Sequence, residues 1–547
     1  MNQGVTGHVD TFCADRMPPP ELVPLREWSA IPELSYPDMM NCASMLLDSM
    51  IASGRGERTA IRFQDGSWTY RQLFETANRI ANVLVDDLGV VPGNRVLLRG
   101  PNNPMMAACW FGVIKAGGVV VCTMPLLRER ELRFVADKAE IRLALTDTRF
   151  ADECNAAFIT HSDGSDRDGA RVVHFNSDAH FGLEPMMRGK SAAFINCKTS
   201  ADDIAIIAFT SGTTGEGKGT MHSHRDIMSI TDCFPRHVLK PSEDDVFCGS
   251  PPLAFTYALG GLLLFPMRIG ACTLLLEQAT PPFLLDAIEG QRPTICFTAP
   301  TAYRAMSGML EGRDISSLRK CVSAGEALPR TVYEGWLDAT GLRIIDGIGA
   351  TEMLHIFISA AEDEIRPGST GRIVPGYRAR IVNEDGNDLP NGTIGRLAVI
   401  GPTGCRYLDN IERQREYVQN GWNLTGDSYK RDDDGYFWYQ ARTDDMIISG
   451  GYNIGGPEVE NVLLEHPAVL ECGVIGEPHE QRGQIVKAVI VLRPGYEVGP
   501  KLVKELQDFV KARIAPYKYP RAVEFAESLP RTNTGKLQRY RLRENTP

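Results

Sequence analysis

Ten residues, Thr210-Ser-Gly-Thr-Thr-Gly-Glu-Gly-Lys-Gly219, directly follow the apolar run Ile204–Phe209. The glycines let backbone N–H groups converge, the hydroxyls add donors, and Lys218 adds a positive charge. Together these groups describe a cradle for a polyanion such as a polyphosphate. The spacing Gly212-x4-Gly217-Lys218 matches the start of a nucleotide-binding P-loop, which needs Ser or Thr immediately after the lysine to hold magnesium. Gly219 stands there and Thr220 comes one place too late, so the P-loop reading fails at its metal ligand. His222 and His224 follow the cradle at a spacing without a metal partner, and they read as packing or hydrogen-bonding groups.

Something must position such a loop. The chain has 547 residues, too many for one simple core, and two or more domains are expected. Its 43% hydrophobic and 23% charged residues are ordinary for a globular protein, and a net charge of −11 argues against nucleic-acid binding. The first residues lack a basic patch followed by an apolar run, and no apolar stretch approaches the roughly 20 residues of a membrane span. Thirteen cysteines lie scattered without a Cys-x-x-Cys pair, which suggests neither a disulfide framework nor a zinc site. These features read as a reduced, cytoplasmic enzyme without a membrane partner. Short apolar runs at Arg95–Leu98, Gly118–Val121, Leu143–Leu145, Thr273–Leu276, Thr294–Phe297 and Arg343–Ile345 fit parallel strands covered by helices, an α/β class. After about residue 370 the texture changes, with strand-like Gly371–Val382 and Gly395–Gly401 joined by turn chemistry, and a small β-rich, barrel-like subdomain is expected over about 370–443. Residues 444–547 carry a pattern of their own: Pro457 opens a helix, Val469–Ile475 and Ile485–Leu492 read as strands, and Leu502, Leu506, Phe509 and Val510 make a helical stripe. The expected division is therefore a large unit over 1–443 and a small α/β unit over 444–547.

Five segments together resemble the adenylate-forming superfamily of acyl-CoA synthetases, peptide-synthetase adenylation domains and luciferases. They are the cradle itself, Asp346-Gly-Ile-Gly-Ala-Thr-Glu352, Asn423-Leu-Thr-Gly-Asp427, Ala441-Arg-Thr-Asp-Asp-Met-Ile447 and Pro530-Arg-Thr-Asn-Thr-Gly-Lys536. They stand in the family's order, over nearly the whole chain. The resemblance implies ATP, Mg2+ and coenzyme A as the small molecules used, and a carboxylic acid activated as its acyl-adenylate. Attack of a carboxylate on the α-phosphate brings anions together, so positioning and charge neutralisation must supply the catalysis. By resemblance Thr210, Ser211, Gly212, Thr213, Thr214, Gly215 and Lys218 hold phosphates, and Thr351 and Glu352 belong to the catalytic motif, with Glu352 on the metal. Asp427 and Arg442 hold the ribose, while Ala324, Gly325, Glu326 and Ala327 lie against the adenine with Asp346 and Gly347 on its other edge. Lys536 bridges the substrate carboxylate and the α-phosphate. Asp444 is the hinge of a mobile C-terminal domain, whose turn brings Gly450, Gly451 and Tyr452 to the thiol channel. One departure stands out: the family's proline before the loop lysine is replaced by Glu216-Gly217, which loosens the loop and sets a carboxylate beside a triphosphate.

The acid pocket is expected from Phe255, Thr256, Tyr257 and Ala258, with Ala324, Gly325, Ile348, Gly349 and His355 opposite. No aspartate stands in the first segment to pair with an ammonium, which argues against an α-amino acid. The aromatics offer a flat, mostly apolar slot suited to an aromatic ring. Asp346 to Phe357 resembles the aryl-CoA ligase branch that includes benzoate-activating enzymes, and the N-terminal segments Met17–Leu22 and Tyr36–Asp48 resemble its 2-aminobenzoate-activating members. The best-fitting acid is 2-aminobenzoate. Benzoate, 2-hydroxybenzoate, and a stand-alone enzyme loading a carrier protein remain alternatives, and either a monomer or a homodimer is compatible.

Overall fold

The computed structural model describes residues 6–161, 165, 167–210, 217–449, 452–479, 482–532 and 536–544. Apolar runs such as Arg95–Arg99, Val119–Thr123 and Leu143–Asp147 form adjacent parallel strands, with Val96 opposite both Val120 and Leu143. They belong to a six-stranded sheet with Arg171–Phe175 at one edge and Ile204–Thr210 followed by Lys218–Ser223 at the other. A nine-stranded sheet is built around parallel Cys272–Leu274, Val246–Gly249, Ile295–Thr298, Lys320–Ala324 and Ile344–Gly349.

Alternate residues of one strand enter different cores, which fixes the layering. Val96, Leu98, Phe247, Ile295 and Phe297 share a central core with the helices Tyr70–Asn82 and Pro104–Lys115. Leu97 and Val121 face instead the helix Glu129–Lys138. Cys248, Cys296 and Cys321 face Leu284, Tyr303 and Trp336 of three other helices. The helix Pro104–Lys115 is buried at every position, as its place between the two sheets requires. Asn103 caps it, accepting from the Met106 N–H at 2.9 Å.

The β-rich segment forms a separate antiparallel half-barrel sheet from Arg378–Val382, Ile394–Ile400, Val418–Gln419, Trp422–Arg431 and Phe437–Arg442. Arg372–Ile373 does not join it and closes the nine-stranded sheet instead. Farther on, the long hairpin Val469–His479 with Gly483–Leu492 packs on the helices Gly456–Leu464 and Pro500–Arg513 around its own core, to which Leu502, Leu506 and Val510 contribute. Pro457 stands in the first turn of its helix.

One element escaped the sequence. Lys218–Ser223, polar in composition, pairs antiparallel with Ile204–Thr210, so the segment expected to cradle phosphate falls between the two strands of a hairpin. The strand is buried beyond Lys218, and the segment around Arg406 satisfies its other edge: the Met221 N–H donates to the Arg406 carbonyl at 2.8 Å. Buried Asp226 pairs with both Arg26 and Arg406 nearby. Among the described residues no helix is long and apolar enough to cross a membrane. The thirteen cysteines are free.

Candidate active site

Thr210 and Lys218 stand opposite one another at the mouth of the hairpin. Ser211, Gly212, Thr213, Thr214, Gly215 and Glu216 between them lie outside the described residues, as do Gly450 and Gly451. Lys218 is half-buried, and desolvation together with nearby Arg413 holds its pKa below that of a free lysine, against the pull of Glu352. Glu352 sits in the single turn Thr351–Met353, whose three residues are each tied to a different partner. The Thr351 carbonyl accepts from His222 Nε2 at 2.7 Å, and the Met353 carbonyl accepts from Thr403 Oγ1 at 2.8 Å. The Glu352 carboxylate accepts from the Tyr407 hydroxyl at 2.6 Å. A carbonyl can only accept, so His222 carries its proton on Nε2. Burial lowers its pKa to about 4 and keeps it neutral.

At the other end of the site, Asp427 and Arg442 face each other on adjacent strands. Arg442 Nη1 donates to Asp427 Oδ1 at 3.0 Å and to the Thr425 carbonyl at 3.2 Å. Burial raises the Asp427 pKa, and Arg442 opposes the rise. Immediately before Asp427, Gly426 has φ +76°, and a Cβ there would stand 2.7 Å from Arg442 Nη2. Ser323 is opposite Asp346 and Ala324 opposite Gly347 on the parallel strands Lys320–Ala324 and Ile344–Gly349. Asp346 is pushed up to about 7 by burial. Its Oδ1 has no partner among the described residues, nor does Glu326 Oε1. Gly325, at φ +90°, turns the chain so that a Cβ would lie 3.9 Å from Lys536 Cε. Lys536 remains exposed, yet the surrounding walls desolvate its ammonium and lower its pKa, with Glu326, then Asp427 and Glu352, pulling it back up. Lys218, Lys536 and Asp427 all feel Glu352, so the cradle, the Thr-Glu turn, the Asp427 strand and the C-terminal lysine converge on one cleft.

The expected acid pocket adjoins this cleft. Tyr257, on the short helix Thr256–Ala258, donates from its hydroxyl to the carbonyls of Val322 at 3.1 Å and Thr298 at 3.3 Å. His355 Nε2 meets the Tyr257 carbonyl at 3.2 Å, and its ring lies 4.6 Å from Phe265 and 5.8 Å from Tyr257, centroid to centroid. Two glycines make room for this residue: a Cβ at Gly260 would stand 2.4 Å from the imidazole Cδ2 of His355, and one at Gly349 2.7 Å from the His355 backbone carbonyl oxygen. His355 is 3% exposed, and burial lowers its pKa to about 3. Nε2 therefore carries the proton, which leaves Nδ1 a buried acceptor without a partner among the described residues. Ile348 packs against the central core beside it, while Phe255 and Thr256 stand partly exposed at the edge.

Sequence reasoning missed Tyr407 and Thr403, and it left His222 without a specific partner. Thr403 and Tyr407 lie in a stretch without regular structure, and Tyr407 is 55 residues from the carboxylate it holds, so no local pattern marks it. Among the described residues no group of three or more His, Cys, Asp or Glu side chains is gathered to bind a metal.

Family models match most of the chain: AMP-binding enzyme over residues 50–406 and AMP-binding enzyme C-terminal domain over residues 458–536. The chain is 35% identical to benzoate–CoA ligase of Thauera aromatica over 520 residues, covering 94% of this chain and 97% of that one. An anthranilate CoA ligase solved in complex with anthranoyl-AMP superposes with a TM-score of 0.86 at 33% identity, covering 94% of this chain and 98% of that one. A benzoate CoA ligase from Burkholderia xenovorans superposes with a TM-score of 0.84 at 33% identity, covering 92% and 100%.

Proposed function

We propose that this chain, which belongs to the AMP-binding enzyme family and is an AMP-forming aryl-CoA ligase, takes 2-aminobenzoate as its acid. In the first half-reaction a carboxylate oxygen attacks the α-phosphate of ATP, the bond to the β-phosphate breaks, and pyrophosphate leaves. In the second the CoA sulfur attacks the acyl carbon and AMP leaves.

Lys218 and the cradle take the β- and γ-phosphates, and Arg442 holds Asp427 ready to accept both ribose hydroxyls. Asp346 Oδ1, an acceptor without a partner among the described residues, suits the adenine amine. Lys536 brings positive charge to the point where carboxylate and α-phosphate meet, which is where negative charge develops. A single fixed carboxylate, with no cluster of protein ligands around it among the described residues, suits Mg2+, a hard cation taken up through one or two carboxylates plus substrate phosphates and water. Glu352 would hold it, and the ion would neutralise phosphate charge. In the second half-reaction Asp444 is the hinge, and Gly450, Gly451 and Tyr452 line the route of the thiol.

The choice of acid rests on His355. A neutral imidazole with its Nε2 proton committed to Tyr257 offers Nδ1 as an acceptor at the wall of an aromatic-lined slot. An aryl amine is uncharged at neutral pH, needs no buried counter-ion, and can donate to Nδ1. A CoA-ligation panel of 2-aminobenzoate, 2-hydroxybenzoate, benzoate, 2-fluorobenzoate and a medium-chain fatty acid tests this. We expect the amine to exceed the fluoro compound about tenfold in kcat/KM, the worth of one hydrogen bond, since fluorine cannot donate. Equal rates for those two overturn the His355 contact, and preference for the fatty acid overturns the aryl slot.

A further inference from the structure

We propose that Tyr407 is a positioning residue for ATP activation, holding the Glu352 carboxylate in the one orientation that presents its second oxygen to magnesium at the phosphate cradle. The phenol donates to Glu352 Oε1 at 2.6 Å, the short distance of a charge-assisted bond. An ionised carboxylate oxygen can only accept, so at this distance the phenol is the donor. Oε1 is thereby committed to the protein, while Oε2, which takes no hydrogen bond among the described residues, is the oxygen that would meet a cation.

The phenol itself is fixed. Its residue is 2% exposed, its backbone N–H donates to Gln414 Oε1 at 2.8 Å, and its ring meets Tyr417 edge-on at 5.8 Å. Tyr407 also forms a β-bridge to Thr220, and the next residue, Leu408, donates its N–H to the Gly219 carbonyl at 2.8 Å. Tyr407 thus hangs on the strand that opens with Lys218. Thr403, four residues earlier, ties the Met353 carbonyl. One irregular segment therefore sets the distance between the carboxylate and the phosphate cradle, although neither group belongs to it. A buried tyrosine needs some partner for its hydroxyl, and a backbone carbonyl would satisfy it equally well. Donation to a half-buried carboxylate in the ATP cleft instead couples its position to the metal site.

The proposal rests on reading Glu352 as the Mg2+ ligand, and the experiment separates the two. ATP binding to the full chain is measured by calorimetry with Mg2+ and with EDTA, for wild type, Tyr407→Phe and Glu352→Gln, alongside melting temperatures. We expect Mg2+ to tighten ATP binding in wild type. Tyr407→Phe keeps the wild-type melting temperature and the wild-type affinity in EDTA, loses about tenfold of the gain from Mg2+, and raises KM for MgATP without raising KM for the acid. Tyr407→His, which restores an N–H donor, recovers part of that gain. Should Tyr407→Phe not fold, Tyr407→His carries the test through the same comparison of Mg2+ with EDTA. Loss of the magnesium gain in Glu352→Gln but not in the Tyr407 variants overturns the positioning role alone. Retention of the full gain in Glu352→Gln overturns the reading of Glu352 on which it rests. Equal weakening of the Tyr407 variants with and without Mg2+ reduces Tyr407 to packing and also overturns the proposal.

Discussion

Lys536 lies over Gly325 with Glu326, Asp427 and Glu352 near enough to support its charge, while desolvation lowers its pKa below the 10.5 of a free lysine. The role proposed for it in adenylation requires the ammonium. As pH rises the proton is therefore lost earlier than from a free lysine, and substrate-dependent ATP–pyrophosphate exchange should fall on the alkaline side below that value. Consumption of preformed acyl-AMP by CoA does not use this ammonium and should lack that limb. Lys536→Ala should lose exchange by about a hundredfold or more while still consuming acyl-AMP. Lys536→Arg keeps its charge at any working pH and should move the alkaline limb upward. An unchanged limb in the arginine variant would assign it to another group. Lys536 could be singled out as a candidate because its neighbours form a recognisable string. Tyr407 was not, since its meaning exists only once Glu352 is folded against it.

Two strands of the half-barrel, Trp422–Arg431 and Phe437–Arg442, exist at this site to oppose Asp427 and Arg442. Gly426 is the condition for that pairing. A side chain there would both adopt φ +76°, a left-handed conformation costing about 1–2 kcal/mol, and push into the guanidinium. Gly426→Ala should therefore raise KM for ATP about tenfold, with KM for the acid unchanged, because the acid pocket is built on other strands. Equal effects on both constants would mean that the sheet itself had given way. At this scale the sequence was readable wherever burial was apolar on both faces, as in Val119–Thr123 or Ile295–Thr298. It failed at Lys218–Ser223, where a polar run is buried because Arg406 and the Thr351 carbonyl bind it across long sequence distances, with Asp226 tying Ser223 locally. Leu354 was equally unreadable: it takes φ +70° immediately after the Glu352 turn, a conformation imposed by ties on either side.

In the arrangement described, the C-terminal segment places Lys536 beside Gly325, in the proposed ATP cleft, and an ion pair crosses between the two family-matched regions. Arg304 meets Glu471 at 3.3 Å, and Glu471 also meets Arg531, in the same segment as Lys536, at 2.6 Å. The Arg304 pair is partly exposed, and such pairs contribute about 0–1 kcal/mol. Arg304→Ala should accordingly slow pyrophosphate exchange only a few-fold, which is what an arrangement that must be released later requires. On the proposed mechanism the two half-reactions need different groups beside one acyl carbon: Lys536 in the first, the thiol route past Tyr452 in the second. If one small unit supplies both, the chain must turn at the residues joining Phe437–Arg442 to Ile447–Ser449, where Thr443–Asp445 forms a single turn. Asp444→Pro fixes φ at that turn and biases Thr443 as well, so it should hold the chain in one arrangement. Because that arrangement already has Lys536 in the cleft, pyrophosphate exchange should remain within a few-fold of wild type. Single-turnover consumption of preformed acyl-AMP by CoA should fall about a hundredfold. Equal loss of both steps would place the damage in folding or in the cleft, and intact thioester formation would mean that the turn is made elsewhere in the chain.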